Sequence, residues 1–249
     1  MNLLSSVLVY QVSLLSPILG GVGDGGQAPP AVFVPSQPAQ PGVSLVYTFL
    51  DVPQGYWAQD FITPLVDRDM LQGFPDGRFR PNQLMTRAEF AALLVQFPWS
   101  AWMAGTEPNA AGFADVSAEH WAAPAIEQIA HWGLMQGDPT GRFRPQQPIS
   151  RIEALLTLSK GLGKGVSNGS LPDVEILSSY HDRFVIPTYA EKTIALATQH
   201  YLVVTYPDPH FLSPNRLASR AEICAFLHQL LVYHGELKAI DSPYIIQRR

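Results

Sequence analysis

A block of about forty residues occurs three times in this chain. The first copy opens Phe49-Leu-Asp51-Val and continues through Trp57-Ala58 and Gly73-Phe-Pro75-Asp-Gly77-Arg-Phe79-Arg-Pro81 to Thr86-Arg87-Ala-Glu89. The second runs Phe113-Ala-Asp115-Val, Trp121-Ala122, Gly137-Asp-Pro139-Thr-Gly141-Arg-Phe143-Arg-Pro145 and Ser150-Arg151-Ile-Glu153. Asp51 to Asp115, Trp57 to Trp121 and Arg87 to Arg151 are each 64 residues apart, and 17 of 41 positions are identical without a gap. A degenerate third copy starts near Asp173 and ends at Ser219-Arg220-Ala-Glu222. A unit this short cannot bury its own apolar face, so the copies must pack on one another.

Each copy reads as helix–loop–helix. Ala58, Phe61, Ile62, Leu65 and Val66 recur at the spacing of one helix face, as do Ala122, Ala125, Ile126, Ile129 and Ala130. Pro124 suits a first turn, whereas Pro64 lies deeper and should kink its helix. Pro75-Asp-Gly77 and Pro139-Thr-Gly141 are turn sequences. Pro81 and Pro145 predict an extended residue before each of them. The second helix of every copy opens on a capping box: Thr86…Glu89, Ser150…Glu153 and Ser219…Glu222. Its apolar stripe is Phe90, Leu93, Leu94 and Phe97 in the first copy, and Ile223, Phe226, Leu227 and Leu230 in the third.

The fold class expected is mainly α, with short extended loop segments. Organisation is read as an apolar segment at 1–19, a Gly/Pro-rich linker at 20–48, repeats at 49–105, 113–165 and 171–235, and a tail at 236–249. Residues 1–19 lack the basic flank of an export signal, because no Lys or Arg precedes Arg68. They read as an atypical signal or a mis-assigned start. Membrane contact is expected only through this segment, if it is retained.

Net charge is −5, which disfavours a nucleic-acid partner. The single cysteine, Cys224, sits in an apolar run and is expected in the core, so no disulfide or Cys-based metal site is expected. The His residues show no metal-ligand spacing and no catalytic motif is present, so no cofactor, no metal and no intrinsic catalysis are expected. Carboxylates that repeat with the fold behave as structural residues, whereas a glycosidase needs one unique pair across a cleft.

Of the basic residues, 12 are Arg and 4 are Lys, and most of the Arg fall in the loops or at helix starts. Arg87, Arg151 and Arg220 hold the first helical position, where the helix dipole disfavours a cation. Helix formation does not select Arg there three times. Either these residues pair with acids such as Asp51 or Asp115 and brace the repeats, or they complete an anion site with the free amides of the helix start. Trp57 and Trp121 are either core anchors or platforms for a sugar ring.

The motif Asp51-Val…Trp57-Ala…Gly73…Pro75-Asp-Gly77-x-Phe79-x-Pro81…Thr86-Arg87-Ala-Glu89 resembles the S-layer homology domain. The resemblance covers 49 to about 235 and is weaker in the third copy. It implies three repeats in a pseudo-threefold spindle around a central helical bundle. It also implies a non-catalytic cell-envelope module, exported to the cell surface, that binds acidic wall polysaccharide or a peptidoglycan-linked glycan, often pyruvylated, in the grooves between repeats. The site residues it implies are Asp51, Trp57, Gly73 and Arg87, then Asp115, Trp121, Gly137 and Arg151, with only Asp173, Tyr189 and Arg220 in the third copy. The alternative kept open is a helical scaffold for a protein partner in the envelope.

Overall fold

The computed structural model describes residues 49–102, 112–163 and 173–246. The expected segments at 1–19 and 20–48 lie outside these. Among the described residues there are seven α-helices, and extended pairing is limited to isolated bridges. The mainly-α expectation holds.

The first helices of the three copies are α1 (Gln59–Val66), α4 (Ala123–His131) and α6 (Thr188–Gln199). The second helices are α2 (Arg87–Leu94), α5 (Arg151–Ser159) and α7 (Arg220–Tyr233), and a short α3 (Trp99–Trp102) follows the first copy. All three capping boxes form as the sequence predicts. Thr86, Ser150 and Ser219 each accept from the amide three residues on, and the Glu there reaches back to the cap amide. The predicted faces are buried too: Phe61, Ile62, Leu65 and Val66 in α1, and Phe90, Leu93 and Leu94 in α2.

Helix pairing crosses the repeats. α2 packs on α4, α5 on α6, and α7 on α1, so each second helix meets the first helix of the next copy. Backbone bonds follow the same cycle through the segments that precede the second helices. Ile149 donates to Met85 (2.9 Å), Ala218 to Ile149 (2.9 Å) and Met85 to Ala218 (3.1 Å). Likewise Arg87 donates to Gln147, Arg151 to Arg216, and Arg220 to Gln83. Met85, Ile149 and Ala218 are buried, so these bonds are shielded from water.

The helix α7 carries more of the core than its stripe suggests. Twelve of its fourteen residues are buried, including Glu222, His228 and Gln229. A helix buried on all sides sits inside the molecule rather than on its surface. Cys224 is among them, and burial pushes its thiol up to about 12.

Two local expectations change. Arg80 and Arg144, expected to be extended before proline, have φ of 56° and 57°, and Ser213, before Pro214, has 51°. A residue with a side chain resists this left-handed region, so something must hold it there. The amides of Phe79 and Arg80 both donate to Asp51 (2.7 and 2.8 Å), and those of Phe143 and Arg144 both donate to Asp115 (2.7 and 2.8 Å). In the third copy the amides of Leu212 and Ser213 donate to Asp182 (2.9 and 2.7 Å). The counterpart of Asp51 and Asp115 is therefore Asp182. Asp173 instead caps a 3-10 turn at Val174–Ser179.

Candidate functional site

The helix-start arginines reach across the repeat boundaries. Arg87 donates from Nε to the Phe143 carbonyl (2.7 Å) and from Nη2 to that of Gln136 (2.8 Å). Arg151 does the same to Leu212 (2.9 Å) and Val204 (3.2 Å), and Arg220 to Phe79 (3.0 Å) and Gln72 (3.1 Å). Each guanidinium thus plugs into the loop of the next copy. The acid partner, where there is one, is the capping Glu of the next repeat rather than Asp51 or Asp115. Arg87 lies 3.5 Å from Glu153 and Arg151 lies 2.6 Å from Glu222.

This geometry bears on the two readings of the arginines. The Arg151 side chain is wholly buried (0% exposed), so it offers no surface to a ligand. Arg220 is also buried. Burial presses the proton affinity of all three guanidiniums down, and Glu153 and Glu222 offset part of this for Arg87 and Arg151. Both guanidiniums keep their charge through these contacts, since arginine does not deprotonate in proteins.

Glu222 is shared. It takes bonds from the Ser219 amide and hydroxyl, from Arg151, and from both terminal nitrogens of Arg216. Burial works to raise its carboxyl, but Arg151, the Ser219 amide and Arg216 outweigh it and hold the group below the usual carboxylate range. Two loop arginines find local partners: Arg80 pairs with Asp76 and Arg144 with Asp138.

Gly73 and Gly137 have a packing reason. A Cβ on Gly73 would lie 2.3 Å from Phe49 and 2.9 Å from the Arg78 carbonyl. On Gly137 it would meet Phe113 at 2.7 Å and the Arg142 carbonyl at 2.9 Å. In the third copy Thr205 stands here, and Tyr180 replaces the phenylalanine. Tyr180 is buried and bonded to the Thr198 hydroxyl.

The three aromatic positions differ. Trp57 is half-buried and stacks on Tyr206 of the third copy (4.8 Å between centroids, 9° between planes). Tyr244, from the tail, meets both rings edge-on. Trp121 is half-buried beside His120. Tyr189 is 75% exposed.

A groove of about 290 Å³ lies where copy three meets copy one. Tyr56, Trp57, Asn82, Tyr206, Arg216 and Leu217 are among the residues lining it. Of the residues expected from sequence, only Trp57 lines this groove. Tyr206, Arg216 and Tyr244 were not expected. Arg216 was legible as an oddity, because Gln83 and Gln147 hold the matching positions in the other copies. The Trp57–Tyr206 stack joins residues 149 apart (206 − 57), and no local pattern signals it.

Comparison with known proteins points to one family. The S-layer homology domain matches residues 48–91 and 112–155. The chain is 31% identical over 143 residues to cell surface glycoprotein 1 of Acetivibrio thermocellus, covering 53% of this chain and 6% of that protein. It is 32% identical over 126 residues to the cellulosome-anchoring protein of the same organism, covering 50% of this chain and 28% of that one. With S-layer protein EA1 of Bacillus anthracis it shares 26% identity over 181 residues, covering 72% and 20%. The chain thus spans less than a third of each of these relatives. Residues 48–91 and 112–155 thus each match the S-layer homology domain, the family that the repeated motif resembles.

Proposed function

We propose that this chain is a non-catalytic anchoring module of the cell envelope, and that it holds on to acidic wall polysaccharide through grooves between its repeats. The observation that carries this reading is the pair of S-layer homology matches, joined by similarity to proteins named for the cell surface, the S-layer and cellulosome anchoring. Geometry supports it: a groove lies where copy three meets copy one, and a half-buried Trp57 beside polar groups suits a sugar, which has an apolar face and polar edges. Trp121 is half-buried as well. Asp51, Asp115, Gly73 and Gly137 shape the loops, and Arg87, Arg151 and Arg220 hold neighbouring repeats in register. Several weak contacts on one rigid body gain strength on a repeating polymer.

The test is co-sedimentation of the full chain with purified sacculi from the organism that encodes it. The chain is expected to pellet, and to stop pelleting once the acidic groups of the wall polymer are removed. A chain that stays in the supernatant with intact sacculi contradicts the reading.

A further inference from the structure

The three repeat boundaries are not equivalent, and their differences fall on the side chains a ligand would meet. At the position three residues before the capping Thr or Ser, the copies carry Gln83, Gln147 and Arg216. One residue after the loop Gly or Thr, they carry Phe74, Asp138 and Tyr206. At the start of the first helix stand Trp57, Trp121 and Tyr189. At these positions, among the described residues, only the boundary between copy three and copy one brings together an arginine, a tyrosine and a tryptophan, and it does so in one groove.

Arg216 has an open face, as the loop arginines Arg80 and Arg144 do, but those two each pair with an aspartate of their own loop. Its side chain is 47% exposed, against 0% for Arg151. Two guanidiniums, Arg151 and Arg216, share the single carboxylate of Glu222, so one positive charge is left over at the groove wall. Glu222 grips the terminal nitrogens of Arg216 and fixes the direction of the group. A guanidinium held in this way loses little freedom when it meets a carboxylate or phosphate.

The aromatic wall is held from outside the repeats. The tail returns to this boundary: the Thr205 amide donates to the Tyr244 carbonyl (2.9 Å), Val204 bridges to Ile245, and Arg68 donates to the Glu236 carbonyl (3.1 Å). Tyr244 then braces both Trp57 and Tyr206. Tyr206 remains 42% exposed, so the wall is supported without being covered.

We infer that anion recognition in this chain is concentrated in the groove between the third and first repeats, with Arg216 as the residue that meets the negative charge and Trp57 with Tyr206 as the apolar wall. The ligand is a saccharide unit bearing an acidic substituent. This rests on the anchoring function proposed above and assigns it to one site. The helix-start arginines act as braces for that site.

The test uses the full chain and sacculi from the source organism, with bound fraction measured against sacculus concentration. Arg216→Gln installs the residue found at the matching positions of the other copies. It is expected to weaken binding about tenfold or more, as loss of a charged hydrogen bond does. Tyr206→Ser, which leaves the ion pairs intact, is expected to weaken it as well. Tyr189→Ala, at the second boundary, is expected to bind like wild type. Circular dichroism and thermal melts establish that each variant is folded, and Tyr206→Ser serves as the readout if Arg216→Gln is not. Wild-type levels of binding by folded Arg216→Gln and Tyr206→Ser overturn the assignment while leaving anchoring in place. A loss in Tyr189→Ala as large as in Tyr206→Ser overturns the single-groove claim. Failure of the wild type to bind overturns the anchoring function and this assignment with it.

Discussion

At the scale of single residues, the repeated acids organise loops. Each of Asp51, Asp115 and Asp182 gathers two consecutive amides and holds the second residue at positive φ. Asp182→Ala should therefore cost about 2–3 kcal/mol, since two bonds to a charged acceptor are lost. Asp173→Ala removes only the cap of an exposed 3-10 turn and should cost about 0.5–1 kcal/mol. Urea unfolding of the two variants checks the order, and a larger loss for Asp173 contradicts the placement of the third repeat. The loop glycine is as demanding. Gly137→Ala forces a Cβ against Phe113 and a carbonyl, and a loss of about 1–3 kcal/mol is expected in the same assay. Constant spacing made the first two acids legible in the sequence. In the third copy Asp173 keeps the Asp-Val pair of Asp51 and Asp115 and so reads as their counterpart, although counting 36 residues back from Arg220, as from Arg87 to Asp51, falls closer to Asp182.

At the scale of elements, the second helices were legible to the residue, because a capping box is a local signal. The burial of α7 was not. A stripe at helical spacing shows which face is apolar, but it does not signal that Glu222, His228 and Gln229 are buried as well. Each is rescued by a partner that comes from far along the chain or from the neighbouring turn. Gln229 donates to the Tyr201 carbonyl (2.7 Å), and His228 lies near Gln229 Oε1 and edge-on to Phe61. Burial pushes the His228 imidazole below its ordinary 6.5, with Arg68 adding to this and Gln229 and Asp60 opposing it. The unfolded chain then takes up a proton that the folded chain resists. His228 contributes its stability fully above pH 6.5, and that contribution falls as pH drops below 6.5 towards the lowered folded value. Urea midpoints measured from pH 7 to 5 should fall for wild type and fall less for His228→Gln. Parallel curves contradict the buried, neutral imidazole.

At the scale of the whole molecule, the repeats are linked as a cycle, and the arginines are part of the linkage. Sequence alone left brace and anion clamp open for these residues, because both need a cation at a helix start. What the structure adds is bracing contacts: the carbonyls that receive Arg87, Arg151 and Arg220 lie about fifty to nearly one hundred and fifty residues away in sequence. No periodicity reports such partners. Arg216 and Tyr206 stand out in the sequence as departures from the other copies, but their meeting with Trp57 was hidden for the same reason, since the wall is assembled from the first repeat, the third repeat and the tail.

The most direct test of this account is the equilibrium urea unfolding of Arg151→Ala beside wild type. Arg151 is wholly buried, bonded to two carbonyls of the third repeat and paired with Glu222. Its removal leaves a buried carboxylate with one partner fewer, so a loss of about 3–5 kcal/mol is predicted. A variant whose stability stays within about 0.5 kcal/mol of wild type, as a typical surface change would, contradicts the brace.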